Sequence, residues 1–131
     1  MIGLSQFTFL ALALGLVSGC ATLADAEAAK GTGTTKTYAV EYDVVWNAVL
    51  EVVKSSDLQL VADNKGKGSV LAQRATTAFS WGENVAIFIE QVGEKVATRV
   101  EVVNKRTLAT NITAANWEKR IFEELDKRLV K

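Results

Sequence analysis

The chain runs to 131 residues, 49% apolar and 23% charged, which gives room for one globular domain and excludes a disordered chain. Fifteen Lys and Arg balance fifteen Asp and Glu, all of them after Cys20, so the chain lacks the basic excess that counterion release from a nucleic acid requires. The absence of His removes the commonest general base and zinc ligand, and a single Cys excludes an internal disulfide.

Met1 to Ser5 is short and weakly polar, Phe7 to Val17 is an apolar run, and Ser18 and Gly19 are small. An apolar run of about 11 residues is too short to span a bilayer, which takes roughly 20, and has the length of an export-signal core. Val17-Ser18-Gly19-Cys20 then resembles the bacterial lipobox, in which an aliphatic residue and two small ones precede a lipidated Cys. The Cys20 thiolate is the nucleophile such a modification needs, and the small residues before it give a peptidase access to the backbone. The resemblance implies a signal peptide over residues 1–19, cleavage between Gly19 and Cys20, and a membrane partner reached through lipid on Cys20. Residues 1–19 contain no Lys or Arg, so the amino group of Met1 alone supplies the positive charge usual at the start of such a signal. At about 0.8 kcal/mol per buried CH₂, two or more acyl chains anchor a protein in effect permanently. Ala21, rather than Asp, follows Cys20, and by the same resemblance this favours the outer membrane, with the domain facing the periplasm.

Residues 20–36 are rich in Ala, Gly and Thr and read as the lipidated Cys and a flexible tether. A coil of about 16 residues has an end-to-end distance of roughly 20–25 Å, enough to hold a domain clear of the lipid. Ala24 to Lys30 has room for a helical turn or two, too few for a stable isolated helix. Residues 37–131 then form a single domain.

Thr37 to Tyr42 alternates as a strand, with Tyr38, Val40 and Tyr42 on one face. Asp43 is placed to cap a helix in which Trp46, Val49, Leu50 and Val53 recur at helical spacing. Four short strands follow: Leu58 to Ala62, Ser69 to Thr77, Val85 to Val92, and a last one carrying Val96, Thr98, Val100 and Val102. Turn clusters at Asp63–Gly68, Gly82–Asn84 and Gly93–Lys95 separate them, and strands so close in sequence pair antiparallel as a meander. The loop Asn104 to Asn111 ends the sheet, and Thr113 caps a final helix with Trp117, Ile121, Leu125 and Leu129 at four-residue steps. Glu123–Lys127 and Glu124–Arg128 are spaced as favourable ion pairs on that helix. Two helices with one apolar stripe each must bury it, so the expected fold is α+β, in the order β-α-β-β-β-β-α, with both helices on one face of an antiparallel sheet.

Tyr42-Asp43-Val44-Val45-Trp46 at the first helix, the Asp63–Gly68 turn, the Val85 to Val102 hairpin around Gly93 and the closing amphipathic helix carry a resemblance. With these features the span from Tyr38 to Leu129 resembles a family of small bacterial lipoproteins of unknown function. In element order it is also similar to the helix-grip domains of the lipoprotein subunit of the outer-membrane barrel-assembly machine. The resemblance implies a helix-grip-like domain and no catalytic residues.

Gly66-Lys67-Gly68-Ser69 lacks the earlier Gly of a phosphate loop, since Ala62 holds that place, and reads as a turn. Asn111-Ile112-Thr113 fits a glycosylation sequon that a bacterial lipoprotein would not ordinarily use. Phe79 and Trp81 beside Gly82 are placed to grip a partner, and Lys105 and Arg106 sit in a polar loop at the sheet end. The expected function is therefore a membrane-anchored, non-catalytic interaction module with an envelope protein as partner and no cofactor. The alternative is a binding domain for a small apolar ligand or lipid, lined by Tyr38, Trp46, Trp117 and Phe122.

Overall fold

A computed structural model describes residues 22–74, 82–106 and 116–130. In chain order the elements are α1 (Leu23–Ala28), β1 (Thr34–Tyr38), α2 (Tyr42–Ser55), β2 (Gln59–Asn64), β3 (Ser69–Arg74), β4 (Glu83–Gln91), β5 (Thr98–Arg106) and α3 (Trp117–Leu129). Consecutive strands β2 to β5 make an antiparallel meander, and β1 pairs antiparallel with β5, giving the spatial order β1-β5-β4-β3-β2. The architecture is the α+β antiparallel sheet expected from the sequence, with one further helix at its start.

Alternation sorts the strands into two faces. Val85, Ile87 and Ile89 of β4 and Val100 and Val102 of β5 bury their side chains together with Val70 and Ala72 of β3. Onto that face α2 lays Val45, Trp46, Val49, Val52 and Val53, and α3 lays Trp117, Ile121, Phe122 and Leu125. Each fully buried Val, Ile or Leu side chain contributes about 1.5–3 kcal/mol of transfer free energy, so this layer dominates stability. Tyr38, Trp46, Trp117 and Phe122 all belong to this one cluster; they are core residues.

Boundaries moved where tertiary pairing overrode local pattern. β1 lies earlier than the alternation of Tyr38, Val40 and Tyr42 suggested, because its partner β5 runs out at Thr98, opposite Tyr38. There the Thr98 hydroxyl donates to the Val40 carbonyl at 2.7 Å, and Tyr42 becomes the first residue of α2. Asp43 is consequently inside the first turn rather than at the cap, paired with Lys65 at 3.0 Å, while the capping residue Glu41 makes no side-chain cap. Helix α3 starts at Trp117, capped by Asn116, whose side chain accepts the Lys119 N–H at 3.1 Å; Thr113 lies outside the described residues. On α3 the Glu124–Arg128 pair forms at 3.1 Å, but Lys127 turns to Glu124 rather than Glu123.

The second face carries the largest departure from expectation. The described part of the segment read as a tether, from Thr22 onward, is built into the fold. Thr22 and Asp25 form a reciprocal capping box, and Ala26 of α1 is fully buried against Ala86, Phe88 and Val103. Beyond the helix, the Glu101 carboxylate accepts the Gly31 N–H at 2.7 Å and the Gly33 N–H at 2.9 Å. Gly33 permits this approach, since a Cβ there would run into the Val102 carbonyl oxygen. At the other side of the sheet, the β2–β3 register slips between Leu60 and Ala62 and leaves Val61 exposed in a bulge on the edge strand.

Candidate functional site

Where α2 ends against the start of α3, the two apolar stripes diverge and small residues replace large ones. Ser55 and Ser56 face Trp117 and Ile121 there, and a groove of about 420 Å³ opens between the helices. Val52, Trp117 and Ile121 line its inner wall, while Arg120, Glu124 and Arg128 stand at its rim. The Arg120 guanidinium lies over the Trp117 ring at 4.4 Å from its centre, an arrangement that fixes both the charge and the plane of the indole. Arg128 is drawn to Glu124 at 3.1 Å and toward Glu51 of α2 at 3.8 Å, so one cation ties the two walls. The Ser55 and Ser56 hydroxyls donate back to the Val52 and Val53 carbonyls at 3.2 and 2.7 Å, and are thereby committed to the helix end.

Behind the groove, Trp117 reaches through the core. Its indole N–H donates to the carboxylate of Glu83, which is fully buried at the start of β4 and faces Arg74 of β3 at 4.0 Å. A buried carboxylate needs hydrogen bonds and a counter-charge to offset desolvation, and this pair supplies both. Sequence reasoning placed Glu83 in a turn. The signal that locates it was present, because Glu83 continues the alternation of Val85, Ile87 and Ile89 toward the helix-covered face.

A second polar cluster ties the opposite side of α3 to β1. Asp126 accepts hydrogen bonds from Lys36 at 2.7 Å and from the Tyr38 hydroxyl at 2.8 Å. The Lys36 ammonium, and after it the Tyr38 hydroxyl, hold the Asp126 carboxyl below its ordinary value. Burial, reinforced by Asp126, pushes the Tyr38 phenol above its own.

Of the sequence-derived site residues, Lys105 and Arg106 fall among the described residues. Gly19, Cys20, Phe79 and Trp81 lie outside the described residues. Lys105 and Arg106 were expected in a loop, but β5 runs through them, with Lys105 opposite Asn84 and Arg106 opposite Glu83. Continuous pairing with β4 extends the strand beyond the point where the apolar alternation fades. Lys105 shares the side of β5 that carries Glu101 and Val103, so it stands on the face away from the groove.

Chemically the groove has a floor of nearly buried Val52, Trp117 and Ile121 and a charged rim of Arg120, Glu124 and Arg128, so it presents mainly polar groups to a partner or ligand. Among the described residues, no group of three or more His, Cys, Asp or Glu is placed to hold a metal ion. No described helix is long and apolar enough to cross a membrane. No protein-family model matches the chain, and no curated protein matches it either.

Proposed function

We propose that this chain is a lipid-anchored, non-catalytic interaction module of the bacterial cell envelope, held at the outer membrane through Cys20 and facing the periplasm. The observation that carries the reading is Val17-Ser18-Gly19-Cys20 directly after the apolar run Phe7 to Val17, in a chain with no other Cys. The groove between α2 and α3 is its binding surface: Arg120, over the nearly buried Trp117 ring, is of a residue type that dominates interface energetics. Growth with labelled palmitate should mark the wild-type protein in the membrane fraction and leave Cys20→Ser unmarked; an unmarked wild type would end the anchoring. A photoreactive residue in place of Ser55, on the groove wall, should then crosslink one envelope protein in intact cells, and Arg120→Glu should abolish that band.

A second reading has its own support. The groove volume of about 420 Å³ falls in the range of small-molecule sites, roughly 300–1,000 Å³. Tyr38, Trp46 and Phe122 contribute nothing to its lining, which reduces the apolar wall that a lipid would need. A rise in unfolding temperature with fatty acids or peptidoglycan fragments, lost in Arg120→Glu, favours this ligand-binding role over the protein partner.

A further inference from the structure

An anchored domain on a long leash can adopt any orientation, whereas one joined to its lipid by a few residues cannot. Cys20 stands two residues before Thr22, the residue that caps α1. Two extended steps of chain reach at most about 7 Å. From Thr22 onward the chain is fixed to the sheet by the capping box, the buried Ala26 and the two hydrogen bonds from Gly31 and Gly33 to Glu101.

The direction of α1 decides which end of the domain is leashed. Lys30, just past the helix, lies over the Phe88 ring, at the level where Phe88 faces Glu101 in the sheet. Ala26, earlier in the helix, packs at the level of the Ala86–Val103 pair. The helix therefore points its first residue toward the end of the sheet where Glu83 and Arg106 pair. The same end holds the last residue of α2, the link Ser56 to Leu58, and Trp117 at the start of α3. The β2–β3 turn and the Val92 to Ala97 connection occupy the opposite end, since Gln91 pairs with Thr98. The nine residues of β4 separate the two ends by about 27 Å.

We infer that a lipid bilayer lies against the Glu83–Trp117 end of the domain, and that the β4–β5 connection points away from the membrane. This rests on lipidation of Cys20 and goes beyond it by fixing how the anchored domain stands. The surface that meets the lipid is set by chain length: about 7 Å of leash is far shorter than the 27 Å or so by which the domain would have to turn over. The end of the groove nearest Ser55, Ser56 and Trp117 consequently lies toward headgroup level, where a partner at the membrane surface reaches it.

The test uses the full lipidated chain in vesicles of phosphatidylethanolamine and phosphatidylglycerol that contain a headgroup-nitroxide lipid. A fluorophore is attached through Asp57→Cys at the leashed end or Lys95→Cys at the far end, both exposed positions. Lipidated Cys20 does not compete for the label. Several-fold stronger quenching at position 57 than at 95 is the expected result, and a Gly-Ser insertion of about ten residues between Ala21 and Thr22 should level the two. Equal quenching in the uninserted chain, or stronger quenching at 95, overturns the orientation. Mass measurement of the amino-terminal peptide separates the two ideas: without acyl chains both fail, whereas acyl chains with equal quenching sink the orientation alone.

Discussion

The indole N–H of Trp117 donates to the buried carboxylate of Glu83, joining the first turn of α3 to the first residue of β4 across 34 positions of sequence. Exposure is 1% for Trp117 and 0% for Glu83, so no solvent competes for the bond. Trp117→Phe keeps most of the apolar contact and removes the donor. The variant should lose about 1–3 kcal/mol, the penalty for taking a partner from a buried polar group. Urea unfolding followed by circular dichroism measures this; an unchanged midpoint would show that the bond contributes nothing.

The Lys36–Asp126–Tyr38 cluster predicts stability changes at both ends of the pH scale. Asp126 titrates below its ordinary value because Lys36 and then Tyr38 hydrogen-bond to it. Its contribution is therefore present above the unfolded-state value of about 3.9 and lost as pH falls below that toward the folded value. Tyr38 titrates above its ordinary value because of burial and then Asp126. Its contribution is full below the unfolded-state value of about 10 and is lost as pH rises beyond it. Unfolding temperature against pH should accordingly show a shallower acid limb in Asp126→Asn, and a shallower alkaline limb in Tyr38→Phe, than in the wild type.

Glu101 holds the segment after α1 by two charge-assisted hydrogen bonds, at 2.7 and 2.9 Å. Hydrogen bonds to a charged group contribute about 1.5–3 kcal/mol each. Glu101→Ala should release this segment locally while the α2–α3 layer stays packed on the other face. Trypsin is then expected to cut after Lys30 at least about tenfold faster, because cleavage follows the population of the opened form. Equal cleavage rates would mean that other contacts suffice.

Gly68 and Gly93 both have positive φ, +68° and +72°, yet they differ in surroundings. A Cβ on Gly68 meets the Ile89 carbonyl oxygen, whereas one on Gly93 meets open space. Gly68 also accepts the Ile89 N–H at 2.8 Å, so a shift there disturbs β4 itself. Gly93→Ala should cost about 1 kcal/mol from the backbone alone, and Gly68→Ala clearly more. Paired thermal melts of the two variants decide it.

Much of this fold was written in local pattern. The alternation around Val85 to Ile89 and Val100 to Val102, and the four-residue steps from Trp117 to Leu129, led directly to β4, β5 and α3. Helix α1 was legible only as room for a turn or two at Ala24 to Lys30, because six residues hold too little helical propensity to stand alone. What stabilises it is Ala26 on the far face and a carboxylate some 70 residues away, neither visible in a local window. Asp43 misled because a polar residue before an apolar run looks like a cap, although its carboxylate is turned toward Lys65. The groove was illegible for a similar reason. It exists only where α2 and α3 part, and the sequence marks that place by nothing more than two serines.

The bulge at Val61 matters most where chains are crowded. Molecules confined to a surface meet one another far more often than the same number in free solution, and a straight outer strand would let neighbours zip together into an extended ribbon. The slipped register interrupts the row of amides and carbonyls that such growth would copy, and Asp63 beside it adds mutual repulsion between like edges. Val61 thus does its service by misalignment: it leaves the outer edge of the sheet a poor template for a second strand.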